Sequence, residues 1–293
     1  MKDKSVVLIV DDVASNIQIL ASLLKDKYHL KIANNGARAL ELAINEPYPD
    51  LILLDIAMPG MDGYEVLQRL QENIITANLP VIFVTGSDSI KEEEKGLELG
   101  AVDYITKPIS PAIVKARINT HLMIKHQRDE LIYNASHDQL TGLYNRHVLS
   151  EEGQRKFSRA HRKGDDLSVI ILDIDHFKNV NDTYGHLMGD KVLITIADIL
   201  KNGMRNEDFA ARFGGEEFIV MLEGCDVDFA EEIAQKLRKE IESKVTDDIV
   251  VTASFGVCQL CEKHDTFELL LKSADEALYR AKDSGRNRVE VCS

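Results

Sequence analysis

Carboxylates gather at two places in this sequence, and at each they stand among residues that can handle phosphate. Asp11 and Asp12 follow the apolar run VVLIV, Asp55 closes LILLD, Thr85 follows VIFV, and Lys107 precedes Pro108. Three acids converging without a partner would repel one another, so this set asks for a hard divalent cation such as Mg²⁺. A carboxylate beside that cation, with a hydroxyl and an ammonium at hand, can accept a phosphoryl group. The second gathering is RNEDFAARFGGEEF (205–218), preceded by LSVIILDID (167–175), in which Asp173 and Asp175 end another apolar run. Gly214 and Gly215 permit positive φ and let a second molecule approach the backbone. Glu216 and Glu217 alternate across a strand, so one is expected to meet Asp173 and the other is not. Carboxylates on adjacent strands suit two Mg²⁺ ions carrying a triphosphate, with Lys178, Lys282 and Arg286 as further charges for neutralising phosphate. Taken alone, GGEEF is also the sequence of a tight hairpin with a solvated acidic end.

These residues need a frame. Over residues 1 to about 108, near-continuous apolar runs at 6–10, 30–33, 51–54, 81–84 and 102–105 alternate with amphipathic stretches. That alternation predicts a doubly wound, five-stranded parallel sheet covered on both faces, with its ligand site at the carboxyl ends of the strands. A single acid at a strand end is commonly a solvated loop residue. Five fitting residue types at the strand ends are not explained that way. From Ser110 the pattern turns helical to about Asn134, uninterrupted by glycine or proline after Pro111, which suits a helix start. Its apolar residues fit no clean heptad, yet such a helix would expose an apolar stripe that a second copy of the chain could cover. Beyond Asp138 a second α/β domain with a mixed or antiparallel sheet is expected. FAARF and FIVML form its hairpin, IVVTASFGV another strand, and helices lie near 188–202, 228–243 and 272–283. The expected boundaries are 1–120, a helical connector at 121–137, and 138–293.

The 293 residues, 44% hydrophobic and 29% charged, are those of a globular protein of two domains. A net charge of −14 argues against nucleic acid as a partner, and no apolar run is long enough for a signal peptide or membrane span, so the cytoplasm is expected. Zinc would need a second pair to match Cys258-x-x-Cys261. Cys225 and Cys292 stand alone in the sequence, so all four cysteines are expected as reduced thiols.

In order, VDD, LLDIAMPGMDG, VTG and KP resemble the motifs of a response-regulator receiver domain over residues 1 to about 120. The resemblance implies a flavodoxin-like fold, phosphorylation of Asp55 by a sensor histidine kinase, Mg²⁺ held by Asp11, Asp12, Asp55 and the Ala57 carbonyl, phosphoryl contacts from Thr85 and Lys107, and Tyr104 as switch aromatic. From about 138 onward, DQLTGLYNR, DIDHFKNVNDTYGHLMGD, RFGGEEF, SFGV and ADEALYRAKDSGRNRV are similar to GGDEF-type diguanylate cyclases, in a GGEEF form. This second resemblance implies condensation of two GTP into cyclic di-GMP by paired domains, with Mg²⁺ (Mn²⁺ substituting) on Asp173, the Ile174 carbonyl and Glu216. It also implies Glu216 as base on the ribose 3′-hydroxyl, Lys178 stabilising transition-state charge, Asn181 and Asp190 on the base, and His186 in the pocket. Homodimerisation through the receiver domain and connecting helix would bring two cyclase domains together.

Guanine presents N1–H and N2–H₂ side by side, which one carboxylate accepts bidentately; Asp190 therefore favours GTP over ATP and disfavours a mixed GMP–AMP product. Arg205-x-x-Asp208 is by itself an ordinary helix-end ion pair. Its place ahead of FAARF matches the family's product-inhibition site, where arginine reads guanine O6 and N7 and aspartate the opposite edge. Lys236 and Arg238 are further candidate contacts. A catalytically silent cyclic di-GMP sensor is the rival reading, and it has no use for the intact acids and Lys178.

Overall fold

Parallel pairing explains the N-terminal run pattern: strands buried on both faces have no polar side to show. The computed structural model describes residues 4–86, 90–205, 207–246 and 249–292, and the chain divides into two compact units, Met1–Leu131 and Ile132–Ser293. In the first, β1 (Val6–Val10), α1 (Ala14–Leu24), β2 (His29–Ala33), α2 (Gly36–Ala43), β3 (Leu51–Asp55), α3 (Gly63–Glu72), β4 (Val81–Thr85), α4 (Ile90–Glu98) and β5 (Asp103–Thr106) alternate strictly. The sheet order β2-β1-β3-β4-β5 is all parallel, and its central strands are completely buried. One face packs Leu8, Val10, Ile52, Leu54 and Phe83 under α2 and α3; the other packs Val7, Ile9, Leu53 and Ile82 under α1.

The predicted connecting helix is α5 (Pro111–Ser136). Val114, Ile118 and Leu122 bury themselves against the second face of that sheet. Asp103 receives Arg117 and His121 (3.0 Å), and Asp50 receives Lys125 (2.9 Å). Met123, Ile124 and Leu131 further along are exposed, Leu131 by 70%. Among the described residues no helix is long and apolar enough to cross a membrane.

The second unit comprises α6 (Arg146–Lys163), β6 (Leu167–Ile174), α7 (Phe177–Tyr184), α8 (His186–Gly203), β7 (Phe209–Gly214), β8 (Glu217–Glu223), α9 (Val227–Ser243), β9 (Val245–Thr246), β10 (Ile249–Val250), β11 (Ala253–Gln259), α10 (Phe267–Asp283) and β12 (Val289–Val291). Its main sheet runs β12-β11-β6-β8-β7, with β6 antiparallel to both neighbours and β12 parallel to β11. Leu172, Phe218, Val220 and Phe255 face one side of the core, and Val169, Ile171, Ile219, Met221 and Phe267 the other.

Three departures from the sequence reading have physical reasons. The stretch IVVTASFGV is two strands, because β10 pairs with β9 in a separate two-stranded sheet while β11 joins the main one. Helix α6 went unforeseen among its many charges; its buried residues are Leu149, Gly153, Phe157 and Ala160, and a Cβ at Gly153 would lie 2.4 Å from the Phe267 ring. The cysteines are not all thiols. Register pairs Val257 with Val291, which sets Cys258 beside Cys292 in a disulfide (Cα–Cα 5.0 Å) that a 34-residue separation hides in the sequence. Cys225 is a buried thiol, pushed up to about 11 by burial, and Cys261 is an exposed one.

Candidate functional site

Asp11, the residue after β1, is fully buried, its carboxylate held by the Val13 N–H (2.8 Å) and the Asn16 amide (2.9 and 3.0 Å). Asp55 ends β3, also buried, and Lys107 Nζ donates to both carboxylates at 3.0 Å. Asp12 is exposed, yet ligand oxygens of Asp11, Asp12 and Asp55 lie within 4.8 Å of one another. Burial raises the Asp55 carboxyl above its ordinary value; Lys107 opposes this, and the charges of Asp11 and Asp12 reinforce it. Burial alone would lower Lys107, but Asp11 and Asp55 outweigh it and hold the ammonium above its usual range. Three carboxylates against one ammonium leave two negative charges, which is the complement of a divalent cation with oxygen ligands. Ala57 stands exposed two residues beyond Asp55. Thr85, buried at the end of β4, and half-exposed Tyr104 on β5 line a narrow cleft with Phe83, Gly96 and Ala101. The Arg117 guanidinium lies over the Tyr104 ring at 5.3 Å.

In the second unit the ladder sets Asp173 between Ser254 and Glu217. Glu216 sits in the turn before β8, where Gly215 has φ +50°, a left-handed conformation that favours glycine. As expected from alternation, one glutamate, Glu217, pairs with Asp173 across the sheet. Burial raises both glutamates, the Asp173 charge pushes each further, and Lys282 opposes. Asp173 itself is raised by burial against the pull of Lys282, whose Nζ lies 3.0 Å from its carboxylate, and of exposed Arg286. Among the described residues only the N-terminal acids form a cluster tight enough for three carboxylates to share one ion. Lys178 on α7 and His186 at the start of α8 are exposed, and Asn181 and Asp190 are half-buried. A Cβ at Gly189 would fall 2.0 Å from Asn181 Oδ1, so glycine there is what lets Asn181 lie against the helix beside Asp190.

Three residues that position this site carried no role in the sequence reading. Arg212 donates to the Gly215 carbonyl through Nε (3.0 Å) and an amino group (2.7 Å), and holds Asp138 at 3.1 and 3.2 Å. The glycine turn before Glu216 is thereby clamped to the DQLTG segment. Burial would raise Asp138, but Thr141 and Arg212 together hold it below its ordinary value. Asp175 accepts from Thr252 Oγ1 (2.7 Å), Ser254 Oγ (2.7 Å) and the Asn287 N–H (3.0 Å), fastening the turn that bears Arg286 to the end of β6. Only three-dimensional pairing links these residues; no sequence spacing does. Asp175→Ala is expected to leave one buried and two half-buried donors unmet and cost about 2–4 kcal/mol. Urea unfolding checks this, and an unchanged midpoint would show that the clamp is not structural.

Arg205 and Asp208 lie elsewhere. The Asp208 carboxylate accepts from the Arg205 backbone N–H (2.9 Å), and the Arg205 guanidinium lies 5.4 Å from the Phe229 ring centroid. Burial raises the Asp208 carboxyl. Six residues of β7 separate this pair from the glycine turn, about 20 Å at strand rise. Arg238 is engaged by Gln235, Glu242 and Asn287, whereas Lys236 lies on the same helix in an open groove with Asp228 and Gln235.

Residues 135–288 match the family described as diguanylate cyclase, GGDEF domain, and residues 7–119 the family described as response regulator receiver domain. The response regulator PleD of Caulobacter vibrioides is 35% identical over 296 residues, 97% of this chain; the chain spans 65% of PleD's length. Diguanylate cyclase DgcP of Pseudomonas aeruginosa is 42% identical over 175 residues, 58% of this chain and 25% of DgcP. Among solved structures, the coiled coil and GGDEF domain of DgcB from Caulobacter crescentus, in complex with c-di-GMP, superposes with a TM-score of 0.57 at 28% identity, covering 62% of this chain and 98% of that one.

Proposed function

The chain belongs to the GGDEF family, with a response-regulator receiver domain ahead of the GGDEF domain, and from that premise we propose that it is a phosphorylation-controlled diguanylate cyclase. It condenses two GTP into cyclic di-GMP and two diphosphates. The observation that carries this is the pairing of Asp173 with Glu217 on the ladder, with Glu216 beside it in the glycine turn and Lys282 3.0 Å from Asp173, at one end of the sheet. A silent sensor of cyclic di-GMP would need none of these groups.

Each domain holds one GTP, so two must face each other for one ribose 3′-hydroxyl to reach the other's α-phosphate. Glu216, its basicity raised by burial and by Asp173, takes the 3′ proton. Lys178, Lys282 and Arg286 offset charge on the phosphates, while Asn181 and Asp190 hold guanine and His186 lines the pocket. Asp173, Glu216 and the Ile174 carbonyl would hold Mg²⁺, which supplies Lewis-acid polarisation of the phosphates when bound. In the receiver, Asp11, Asp12, Asp55 and the Ala57 carbonyl would hold another, with Asp55 accepting the phosphoryl group from a sensor histidine kinase and Thr85, Lys107 and Tyr104 reading its arrival. Residues 1–120 act as receiver, 121–137 as connector and 138–293 as cyclase, in the cytoplasm. The exposed apolar side chains of α5 support pairing with a second copy, which phosphorylation would rearrange. Incubating the purified chain with GTP and Mg²⁺, with and without beryllium fluoride, is the test. No cyclic di-GMP under either condition would leave only the sensor.

Product is proposed to inhibit at Arg205 and Asp208 by holding the cyclase domains apart. Because the pair lies a strand's length from the carboxylates, Arg205→Ala should leave the initial rate nearly unchanged. Losing a bidentate arginine–guanine contact weakens product binding by roughly ten- to a hundredfold. Progress curves of the variant should then stay linear where the wild type flattens. If both flatten at the same product concentration, the pair is only structural.

A further inference from the structure

The cysteines at the other end of β11 from the carboxylates have no part in this chemistry, and they do not sit alone. His264, 1% exposed, lies between them. Its Nδ1 accepts from the Cys261 backbone N–H (3.1 Å) and lies 3.3 Å from Cys261 Sγ. Its Nε2 lies 3.1 Å from Ser273 Oγ and 3.8 Å from Cys258 Sγ. Cys258 is wholly buried and bonded to Cys292, whereas Cys261 is exposed. Burial and the Lys263 charge lower His264, so the ring is neutral. A single metal ion does not suit this arrangement. Two of the sulfurs are bonded to each other, and the remaining sulfur and Cys258 face different nitrogens of the ring.

We infer that Cys261, His264 and the Cys258–Cys292 disulfide form a thiol–disulfide exchange centre whose external partner is a small dithiol reductant. Cys261 gives its proton to His264 Nδ1, and its thiolate leaves that edge of the ring by side-chain rotation to attack Cys258 Sγ, which faces the Nε2 edge. The Cys258–Cys292 bond breaks as Cys258–Cys261 forms; the electron pair leaves on Cys292 Sγ, which takes up the proton, so this step involves no net oxidation. The buried cross-link has become one within C-x-x-C that includes the exposed sulfur. A dithiol then attacks Cys261 Sγ, is itself oxidised to a disulfide, and leaves Cys258 and Cys261 as thiols. The exchange unties the chain beyond β12 from β11, opening a covalent loop that contains all of α10 and the turn bearing Arg286. Cys225, buried and with its thiol pushed up to about 11, is outside this chemistry.

The test uses the full chain, oxidised, treated with limiting dithiothreitol, acid-quenched, alkylated and mapped as peptides. Wild type should begin with the Cys258–Cys292 link and pass through Cys258–Cys261 before full reduction. Cys261→Ser should keep the first link and lose it to dithiothreitol at least about tenfold more slowly. Cys292→Ser, which cannot form the resting link, should close Cys258–Cys261 in an oxidised glutathione buffer. Equal reduction rates for wild type and Cys261→Ser would overturn the proposal. So would free Cys258 and Cys261 in oxidised Cys292→Ser, or one equivalent of zinc on the reduced chain that Cys261→Ser loses. Cyclase activity enters none of these readouts, so their failure is separate from failure of the proposed function.

Discussion

Glu216→Gln is expected to lower cyclic di-GMP synthesis by roughly 10³-fold or more while leaving the fold intact. The amide keeps the volume of the carboxylate but removes the proposed metal donor and base. Positioning amplifies the effect: Gly215 turns the chain left-handed and Arg212 grips the Gly215 carbonyl, so Glu216 is presented at a fixed place one residue ahead of Glu217, the ladder partner of Asp173. The sign of its pKa shift separates lost chemistry from lost stability. A carboxyl raised by burial and by Asp173 favours the folded state most when protonated, and that contribution fades as pH rises above its unfolded value. At neutral pH the ionised side chain opposes folding, so the neutral amide should not lower the thermal midpoint. Near-wild-type turnover would sink the assignment of Glu216. A collapsed midpoint would mean the turn needs the charge.

Much of this arrangement is legible in the sequence, because the chemistry lies at strand ends and strands announce themselves. VVLIV, LILLD and VIFV are unbroken apolar runs, and the acids, threonine and lysine after them could be placed by the parallel-sheet rule alone. What escaped depends on register. Nothing in the sequence couples Asp138 to Arg212, Asp175 to Asn287, or Cys258 to Cys292; each pair meets only once strands or turns far apart in the chain have docked. Which glutamate meets Asp173 is a matter of register too: β8 begins at Glu217, which pairs with Asp173, while Glu216 precedes it in the turn. Helix α6 escaped for a different reason: its buried stripe uses Gly153 and Ala160, residues too small to register as hydrophobic periodicity.

Asp55→Asn should reduce labelling by a small-molecule phosphoryl donor to background and make the cyclase insensitive to beryllium fluoride, while basal synthesis persists. Asp55 is the acid at the focus of the N-terminal site: it is buried at the end of β3 and shares the Lys107 ammonium with Asp11 at equal distances. Burial and two neighbouring acids raise its carboxyl while Lys107 opposes them, so the ammonium favours the ionised form that would attack phosphorus. The asparagine retains an acceptor for Lys107 and changes little in volume, so the sheet should fold unchanged. It cannot form the acyl phosphate. Thr85 and Tyr104, lining one cleft beside the site, would then have no phosphoryl group to respond to, and the receiver would stay in its resting arrangement. Intact-protein mass after acetyl phosphate treatment reads the first effect, and product formation with and without beryllium fluoride reads the second. Acid-labile label persisting on the variant would place the acceptor elsewhere. Loss of label with full retention of stimulation would show that the receiver does not govern the cyclase through Asp55.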